Sequence, residues 1–459
     1  MQPMHLSTHA LAHRYAARAP LPLPLPLPMT DSHNTARASF LEGVRAFEVG
    51  NFVAAEAAFR ASLLALPGRP STLMNLAATL TRAGRPAEAL PLLDDSLAAE
   101  PDSTEALCHR GAALAAVGQA GPALAAYDQA LRLQPSLVPA LFQRAVQLNL
   151  VGQPAAAFVA LERLMAVQEP DGEAWFHHGQ TLQTLGRADE ALRSYDRALA
   201  LEPGVASTWS RRGTLLKDMG RLAEAARSFQ QALTHGGDVD FNRYFLASVG
   251  AGELPQAAPR AYVEQLFDSY AAEFDEHLVA QLGYRTPQLL AALLPSGRRF
   301  AAALDLGCGT GLMAPLLRPV CEAIDGVDLS NQMLDKARAG GLYRQLWHAD
   351  VVAQLQQSAD RYDLVLAADV FVYLGDLQAV FAGVAAALQS GGVFLFSVEE
   401  ADAGHSLQLR PSARYAHSQG YLTELAAAHG LAVQQIERQT LRHDQGRPIQ
   451  GLLVRLARV

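Results

Sequence analysis

Glycine recurs six times at a fixed interval of 34 residues in the first half of the chain, and this spacing restricts the fold more than any other feature. An alanine follows each glycine after five residues, and a large apolar residue follows each alanine after four more. A glycine often ends a helix, and a period of this size is typical of stacked helix pairs, so the spacing predicts an all-α repeat array. The six glycines are Gly50, Gly84, Gly118, Gly152, Gly186 and Gly220.

Each repeat is predicted to be two helices joined by the glycine turn, and the alanine is small because the helices approach closely there. One unit cannot bury its apolar face alone, so the units must stack. The pattern resembles the tetratricopeptide repeat, in six units over residues 36–239. That resemblance implies a groove that binds a protein or peptide. Asn75, Arg82, Arg211 and Lys217 are candidates to line it, and solvated surface is the alternative for all four.

A glycine-rich segment of a different kind, residues 305–311 (DLGCGTG), follows a predicted strand and precedes a predicted helix. Glycines there let a ligand approach the backbone closely. Nicotinamide-binding folds space their glycines G-x-G-x-x-G, whereas this loop has G-x-G-x-G and lacks a Walker lysine. Short apolar runs alternate with helical patterns from Phe300 onward, which predicts an α/β domain with a parallel sheet.

Carboxylates follow the next two predicted strands, and they extend the pattern. Asp328 ends the second strand and can accept both hydroxyls of a ribose. Asp350 follows the third strand, and helix N-capping is the alternative role for both aspartates. An aspartate, Asp363, begins the fourth strand, where we expect it to brace the strand, whereas Asp325 is expected at the surface. These motifs together resemble class I S-adenosylmethionine-dependent methyltransferases.

This resemblance implies a Rossmann-like seven-stranded sheet, closed by an antiparallel hairpin, and S-adenosylmethionine as cofactor. In that family the loop glycines face the methionine and ribose, Asp328 binds the ribose, and Asp350 binds the adenine amino group near Met333. The implied cofactor-binding residues are Asp305, Gly307, Cys308, Gly309, Gly311, Asp328, Leu329, Met333, Asp350, Val351, Ala368 and Tyr270.

The segment before this domain is predicted to contain a capping helix over residues 240–250, a linker, and a helix over residues 261–282. The last helix resembles the lid ahead of many small methyltransferase domains. Tyr270 and Phe274 would close over the cofactor in that case, and packing between domains is the alternative.

Catalytic candidates come from general chemistry, because the methyl acceptor has no motif. Asp369 and Tyr373 lie near the predicted end of the fourth strand, and His417 is the best general base by its ordinary pKa. The loop that carries Arg442 and His443 is expected to be solvated. No Cys-x-x-Cys pair suggests a metal site, so none is predicted.

Composition excludes some partners and locations. A net charge of −8 and a pI near 6.0 disfavour nucleic-acid binding, and no apolar stretch is long enough for a membrane span. Three cysteines fit a reducing cytoplasm. Residues 1–35 are rich in Leu-Pro and are expected to be a disordered tail, with Met1 or Met29 as the start of translation.

The predicted organisation is therefore a tail (residues 1–35), six repeats (36–239), a capping helix and linker (240–260) and a methyltransferase domain (261–459). The arrangement resembles bacterial predicted methyltransferases with tetratricopeptide repeats. We expect methyl transfer to an unidentified acceptor, with the repeats recruiting a protein substrate or serving assembly around a small-molecule enzyme. The alternative function is a scaffold that binds the cofactor without turnover.

Overall fold

A computed structural model describes residues 31–271, 274, 283–358, 362–444 and 447–459. The chain divides into two compact units, one ending at Thr208 and the other beginning at Trp209. Within the described residues, every helix is too short or too polar to cross a lipid bilayer.

In the described part of the first unit, from residue 31 onward, the regular structure is helical, with ten helices that pack as consecutive pairs. Proline often occupies the first turn, where its missing N–H costs no hydrogen bond. The helices are α1 (Asp31–Glu48), α2 (Phe52–Ala65), α3 (Pro70–Arg82), α4 (Pro86–Ala99), α5 (Thr104–Ala116), α6 (Ala120–Leu133), α7 (Val138–Leu150), α8 (Pro154–Val167), α9 (Gly172–Thr184) and α10 (Ala188–Leu201).

The repeated glycines lie where the sequence predicts them, in the turn between the two helices of each pair. Their φ angles in this unit fall between 73° and 79°, in the left-handed region that glycine adopts without steric cost. The turn thus explains the glycine, and the alanine five residues later is completely buried in every repeat. The all-α repeat prediction is confirmed.

A second small residue in each repeat is matched to the large one, and the sequence interpretation missed it. A Cβ on Gly111 would lie 2.4 Å from the ring of Tyr127, so only glycine fits beneath that ring. Where the large residue is leucine instead, as at Leu93, the residue sixteen earlier is alanine, here Ala77. In each helix pair an aromatic residue thus faces glycine or a leucine faces alanine, so the combined volume of the two residues stays similar.

The second unit begins within α11 and contains two further helices before the α/β domain. The elements are α11 (Ala206–Asp218), α12 (Leu222–Thr234), α13 (Val239–Ser248), α14 (Arg260–Tyr270), α15 (Thr286–Ala292), β1 (Phe300–Leu306), α16 (Ala314–Leu317), β2 (Cys321–Asp328), α17 (Asn331–Ala339), β3 (Gln345–His348), α18 (Val351–Gln357), β4 (Tyr362–Ala367), a 3₁₀ helix (Phe371–Tyr373), α19 (Gln378–Ala387), β5 (Leu388–Glu400), β6 (Leu407–Leu409), β7 (Tyr415–His417), α20 (Gln419–Ala428), β8 (Leu431–Asp444) and β9 (Arg447–Arg458).

The described strands form one sheet, in which β3-β2-β1-β4-β5 are parallel in that order. Strand β9 pairs with β5 and β8 pairs with β9, both antiparallel, and β7 with its partner β6 joins the end of β5. Helices cover both faces, because the central strands are apolar on both sides. This order confirms the predicted α/β sheet with its closing hairpin, and the short strands β6 and β7 extend it beyond the seven strands that were predicted. The parallel order brings the carboxyl ends of β1, β2, β4 and β5 to one edge, where ligands bind in such sheets.

The structure differs from the sequence interpretation in several local features. The hairpin of β6 and β7 was not predicted, since three-residue strands show too little alternation to be recognised. Strand β8 extends to Asp444, so Arg442 lies in a strand with only 5% of its surface exposed instead of in a solvated loop. Arg211 and Lys217 are buried, so the alternative given for them, solvated surface, is wrong, and their place in the groove stays a prediction. Of the helix predicted over residues 261–282, α14 covers the part up to Tyr270 and Phe274 is helical, whereas residues 272–273 and 275–282 lie outside the described residues.

Candidate functional site

The glycine loop turns sharply at the carboxyl end of β1 and is held against β2. The Cys308 N–H donates to the Val327 carbonyl (3.0 Å), and the Gly311 N–H donates to the Cys308 carbonyl (2.9 Å). Gly307 has a φ of 64°, and a Cβ there would lie 2.5 Å from Cγ2 of Val370. Gly307 therefore leaves room for the Val370 side chain, whereas a Cβ at Gly309 would meet nothing within 4 Å.

Asp328 joins the loop to the start of α17. One oxygen of its carboxylate accepts the Gly309 N–H (2.8 Å), and the other accepts the Ser330 N–H (2.9 Å). Burial raises the pKa of Asp328, and these backbone hydrogen bonds oppose the shift. Each carboxylate oxygen has a second lone pair, so the group can still accept hydrogen bonds from a ligand.

Asp305 lies beneath the loop instead of on its surface. Its side chain is 1% exposed and accepts a hydrogen bond from the Tyr343 hydroxyl (2.7 Å). Burial raises the pKa of Asp305 to about 7, the Tyr343 hydrogen bond lowers it, and the charge of Asp328 raises it further. We call residues 305–311 together with Asp328 the glycine-loop half of the site.

The other residues predicted to hold the cofactor differ in their exposure and contacts. Asp350 caps α18, since one of its oxygens accepts the N–H groups of Val352 (2.9 Å) and Ala353 (3.1 Å). Leu329, Tyr270 and Ala368 are half-buried, whereas Val351 and Cys308 are buried.

Helix α14 lies along the glycine-loop half at the start of α17. Asp268 of this helix accepts hydrogen bonds from the Ser330 hydroxyl and, at 3.4 Å, from the Gln332 N–H. Farther along, the ring of Phe267 contacts that of Tyr373 with centroids 5.5 Å apart, and Tyr270 packs on Phe274 at 5.3 Å. The helix therefore brings aromatic rings to the edge where β4 ends.

Charged side chains meet at the ends of β4 and β5. Arg442 of β8 donates to Asp369 (3.0 Å) and to Glu399, which is 1% exposed. Asp369 has a φ of 59°, unusual for a residue other than glycine, and its backbone N–H donates to the Ser397 hydroxyl (2.9 Å). The carboxylate of Asp369 is thereby fixed at the edge of the site.

Two further guanidinium groups belong to this cluster. Arg410 donates to Glu399 at 3.3 Å, and Arg414 forms an ion pair with the same carboxylate at 3.8 Å. Although burial opposes it, electrostatic interactions with Tyr373, Glu399 and Asp369 raise the pKa of Arg414. We call Asp369, Glu399, Arg410, Arg414 and Arg442 the arginine half of the site. The sequence interpretation recognised only Asp369 among them.

Two predicted site residues lie in the interior. Met333 is 0% exposed in the first turn of α17, so its side chain does not border the site. His417 is also 0% exposed, and its Nε2 hydrogen-bonds with the Gly375 carbonyl (3.0 Å). Burial lowers the pKa of His417 to about 4. Nothing in this arrangement gives the imidazole access to an acceptor.

Two aspartates outside the site are structural. Asp363 accepts the N–H groups of Ala301 (2.8 Å) and Ala302 (3.0 Å), and so joins β4 to β1 as expected. Asp325 was expected at the surface, but it is completely buried in β2, where Arg344 and the Tyr362 hydroxyl donate to it. Among the described residues, no group of three or more His, Cys, Asp or Glu side chains could hold a metal ion.

Family models agree with this division of the chain. A model described as a methyltransferase domain matches residues 274–436, and models described as tetratricopeptide repeats match residues 46–107, 172–204 and 206–234. The chain thus carries tetratricopeptide repeats in its N-terminal part and a methyltransferase domain in its C-terminal part.

Curated relatives match in the methyltransferase domain. Methyltransferase-like protein 27 of Homo sapiens is 37% identical over 22% of this chain and 47% of its own length. Malonyl-[acyl-carrier protein] O-methyltransferase of Salmonella typhimurium is 29% identical over 36% of this chain and 65% of its own length. The chain therefore spans less than two thirds of the length of these relatives.

Among solved structures, the N-methyltransferase NodS of Bradyrhizobium japonicum in complex with S-adenosyl-L-homocysteine is similar to this chain. The identity is 20%, and the TM-score is 0.36. The alignment covers 43% of this chain and 98% of that one.

Proposed function

We propose that the protein transfers a methyl group from S-adenosylmethionine to an acceptor bound at the arginine half of the site. The observation that carries the proposal is the buried carboxylate of Asp328. It is held on the backbone of the glycine loop by the Gly309 N–H, and it keeps lone pairs for the two hydroxyls of a ribose.

The residues at the glycine-loop half fit this cofactor. A Cβ at Gly309 would meet nothing within 4 Å, so a ligand can approach the backbone closely there. Asp350 uses one oxygen to cap α18, so its other oxygen is available to accept the amino group of an adenine. Bound there, the cofactor supplies a methyl group on a sulfonium that is already activated for displacement.

The residues of the chain then have to orient the acceptor and exclude water. The rings of Phe267, Tyr270, Phe274 and Tyr373 form an apolar group suited to exclude water. The fixed carboxylate of Asp369 is suited to orient a hydroxyl or amine acceptor and to take its proton. We retain Asp369 and Tyr373 as candidate catalytic residues. His417 could act as a general base only if the interior opened to expose its imidazole.

We infer that the repeats bind a protein, either the acceptor itself or a partner in assembly. Support comes from the class of the repeats alone. Two curated relatives, named for malonyl-[acyl-carrier protein] and for ubiquinone biosynthesis, are O-methyltransferases, which favours an oxygen acceptor for this chain as well.

Cofactor binding is tested by calorimetry with S-adenosylmethionine on the wild-type chain and on Asp328→Asn. Because hydrogen bonds to a charged group contribute about 1.5–3 kcal/mol, we expect Asp328→Asn to weaken binding about 10- to 150-fold. The control is Asp335→Asn on α17, whose side chain is 73% exposed and pairs with Arg338. It should leave binding unchanged. A wild-type chain that does not bind the cofactor would refute the proposal.

Transfer is tested by adding methyl-labelled cofactor to a lysate with the whole chain or with a chain that lacks residues 31–205. This deletion ends before α11, because Lys217 of α11 donates to the Pro411 carbonyl of the α/β domain. Labelled proteins that disappear with the repeats would support recruitment of a protein acceptor. Label in small metabolites only would contradict it, and cofactor binding without any label would favour the scaffold.

A further inference from the structure

The hairpin of β6 and β7 carries two of the three guanidinium groups of the arginine half. Arg410 and Arg414 flank its turn, in which the Arg410 N–H donates to the Arg414 carbonyl (2.9 Å). Strand β7 pairs with β5 only through Glu399 and Glu400. Two strands of three residues are too short to be stable by themselves, so other parts of the chain must hold the hairpin in place.

The turn of this hairpin also contains a strained residue. Ala413 has a φ of 56°, and the left-handed region costs an alanine about 1–2 kcal/mol. Such a conformation persists only where the surroundings enforce it. The groups that enforce it come from the helices that precede the α/β domain in the chain.

Tyr244 of α13 makes the shortest of these contacts. Its hydroxyl donates to the Ala413 carbonyl (2.6 Å), and its side chain is completely buried. Burial raises the pKa of Tyr244, so the hydroxyl remains a donor. The ring packs on Tyr262 (5.8 Å) and on Tyr415 of β7 (6.1 Å).

A second contact supports the same turn from α11. The Lys217 ammonium donates to the Pro411 carbonyl (3.1 Å), and this side chain is also buried. At the base of the hairpin, the Tyr415 hydroxyl donates to the Pro255 carbonyl (2.7 Å). Two carbonyls of the turn, those of Pro411 and Ala413, are therefore held by α11, which belongs to the last repeat, and by α13.

We propose that Tyr244 is a positioning residue of the acceptor site: through the Ala413 carbonyl it fixes the hairpin turn and thereby sets Arg414 beside Glu399 and Asp369. This inference rests on the proposed function in one respect, that the arginine half binds the acceptor. It makes α13 part of the catalytic unit, although α13 follows the repeats and lies outside the residues matched by the methyltransferase model.

The test is Tyr244→Phe in the whole chain, which keeps the ring and removes the hydroxyl. Tyr362→Phe is the matched control, because Tyr362 is equally buried and its hydroxyl donates to Asp325 (3.0 Å), away from the hairpin. Exchange of the backbone amide hydrogens of residues 410 and 412–414 should become about tenfold faster in Tyr244→Phe, since the buried Ala413 carbonyl loses its partner and the turn opens more often. The control should leave this exchange unchanged. Equal exchange in Tyr244→Phe and wild type would overturn the proposal.

Two further measurements distinguish positioning from general loss of structure. Affinity for S-adenosylmethionine should stay within about twofold of wild type, while methyl transfer to lysate acceptors should fall about tenfold. Adding Arg414→Ala to Tyr244→Phe should reduce transfer no further than Arg414→Ala alone, because both act through one group. Additive losses would overturn the assignment to Arg414. If wild type transfers no label, the proposed function fails, and the exchange experiment still decides whether Tyr244 holds the hairpin.

Discussion

The two halves of the site hold their carboxylates in different ways. In the glycine-loop half, the Asp328 carboxylate accepts backbone N–H groups, whereas in the arginine half Glu399 and Asp369 accept guanidinium groups. Backbone N–H groups are present whatever the side chain, so a substitution in the loop does not remove the donors that hold Asp328. Guanidinium donors are side chains on separate elements, so the other half can be altered residue by residue. The first arrangement suits a constant cofactor, and the second suits an acceptor that differs between enzymes.

The comparison predicts that removal of a single donor side chain from the arginine half strongly lowers the free energy of unfolding. Arg442→Ala would leave the nearly inaccessible Glu399 carboxylate without its closest cation. Breaking a buried pair costs about 3–5 kcal/mol when the remaining charge has no other partner. Because Arg410 and Arg414 still contact Glu399, we expect a loss of up to that size in the free energy of unfolding, measured by urea denaturation. Arg438→Ala is the control, because Arg438 lies on the same strand and pairs with Glu400 while 68% exposed. It should cost less than about 1 kcal/mol. Similar losses of stability in both variants would contradict the expected difference between the buried pair of Arg442 and the exposed pair of Arg438.

A second prediction concerns pH and the glycine-loop half. The pKa of Asp305 in the folded chain is about 7, above its ordinary value, so the folded state retains a proton that the unfolded state releases near pH 4. Asp305 therefore lowers stability progressively as pH rises from about 4 to 7, by up to about 4 kcal/mol, and the effect is constant above pH 7. The advantage of Asp305→Asn over wild type in unfolding free energy should grow across this interval.

In this second experiment the informative quantity is how the stability difference between Asp305→Asn and wild type changes with pH. Its absolute size is less informative, because an amide at residue 305 also adds a buried donor whose cost does not depend on pH. Asp335→Asn, at an exposed residue, should show a difference from wild type that is flat over the same range. A flat difference for Asp305→Asn as well would mean that burial does not hold the proton on this carboxyl.

The two halves also differ in how far the sequence predicts them. The glycine loop and Asp328 were found because they occupy fixed places after consecutive parallel strands, and local spacing is visible in a sequence. The arginine half joins Asp369, Glu399 and Arg442 through the register of β5, β9 and β8, which no local pattern reveals. Arg442 was therefore interpreted as solvated.

The sequence also failed to predict which single polar residues are buried. A strand aspartate such as Asp325 is expected at the surface because a buried charge is costly. Its partner, Arg344, is 19 residues away in the sequence and comes next to it only when the chain folds. The same reason explains why glycine beneath each aromatic of the repeats was missed: Gly111 and Tyr127 lie on different helices.

A third prediction separates backbone strain from crowding in the glycine loop. Gly307→Ala places a methyl group 2.5 Å from Val370 at a φ of 64°, whereas Gly341→Ala has nearly the same φ, 66°, with nothing within 4 Å. The left-handed conformation alone should cost Gly341→Ala about 1–2 kcal/mol in unfolding free energy. Gly307→Ala should cost more and should also weaken S-adenosylmethionine binding in calorimetry. Equal stability losses with unchanged binding would show that the loop yields to the methyl group.

The smallest predicted effect tests whether Asp350 serves only as a helix cap. Asparagine caps helices about as well as aspartate, so Asp350→Asn should change the unfolding free energy by only a few tenths of a kcal/mol, whereas Asp350→Ala should cost about 1 kcal/mol. If Asp350 also accepts the adenine amino group, Asp350→Asn should weaken cofactor binding at least several-fold at nearly unchanged stability, because the single amide oxygen caps the helix and leaves an NH2 donor facing the adenine amino group. Parallel losses of stability and affinity across the two variants would instead assign the residue to capping alone. The glycine-loop half would then recognise the ribose by a side chain and the adenine by shape.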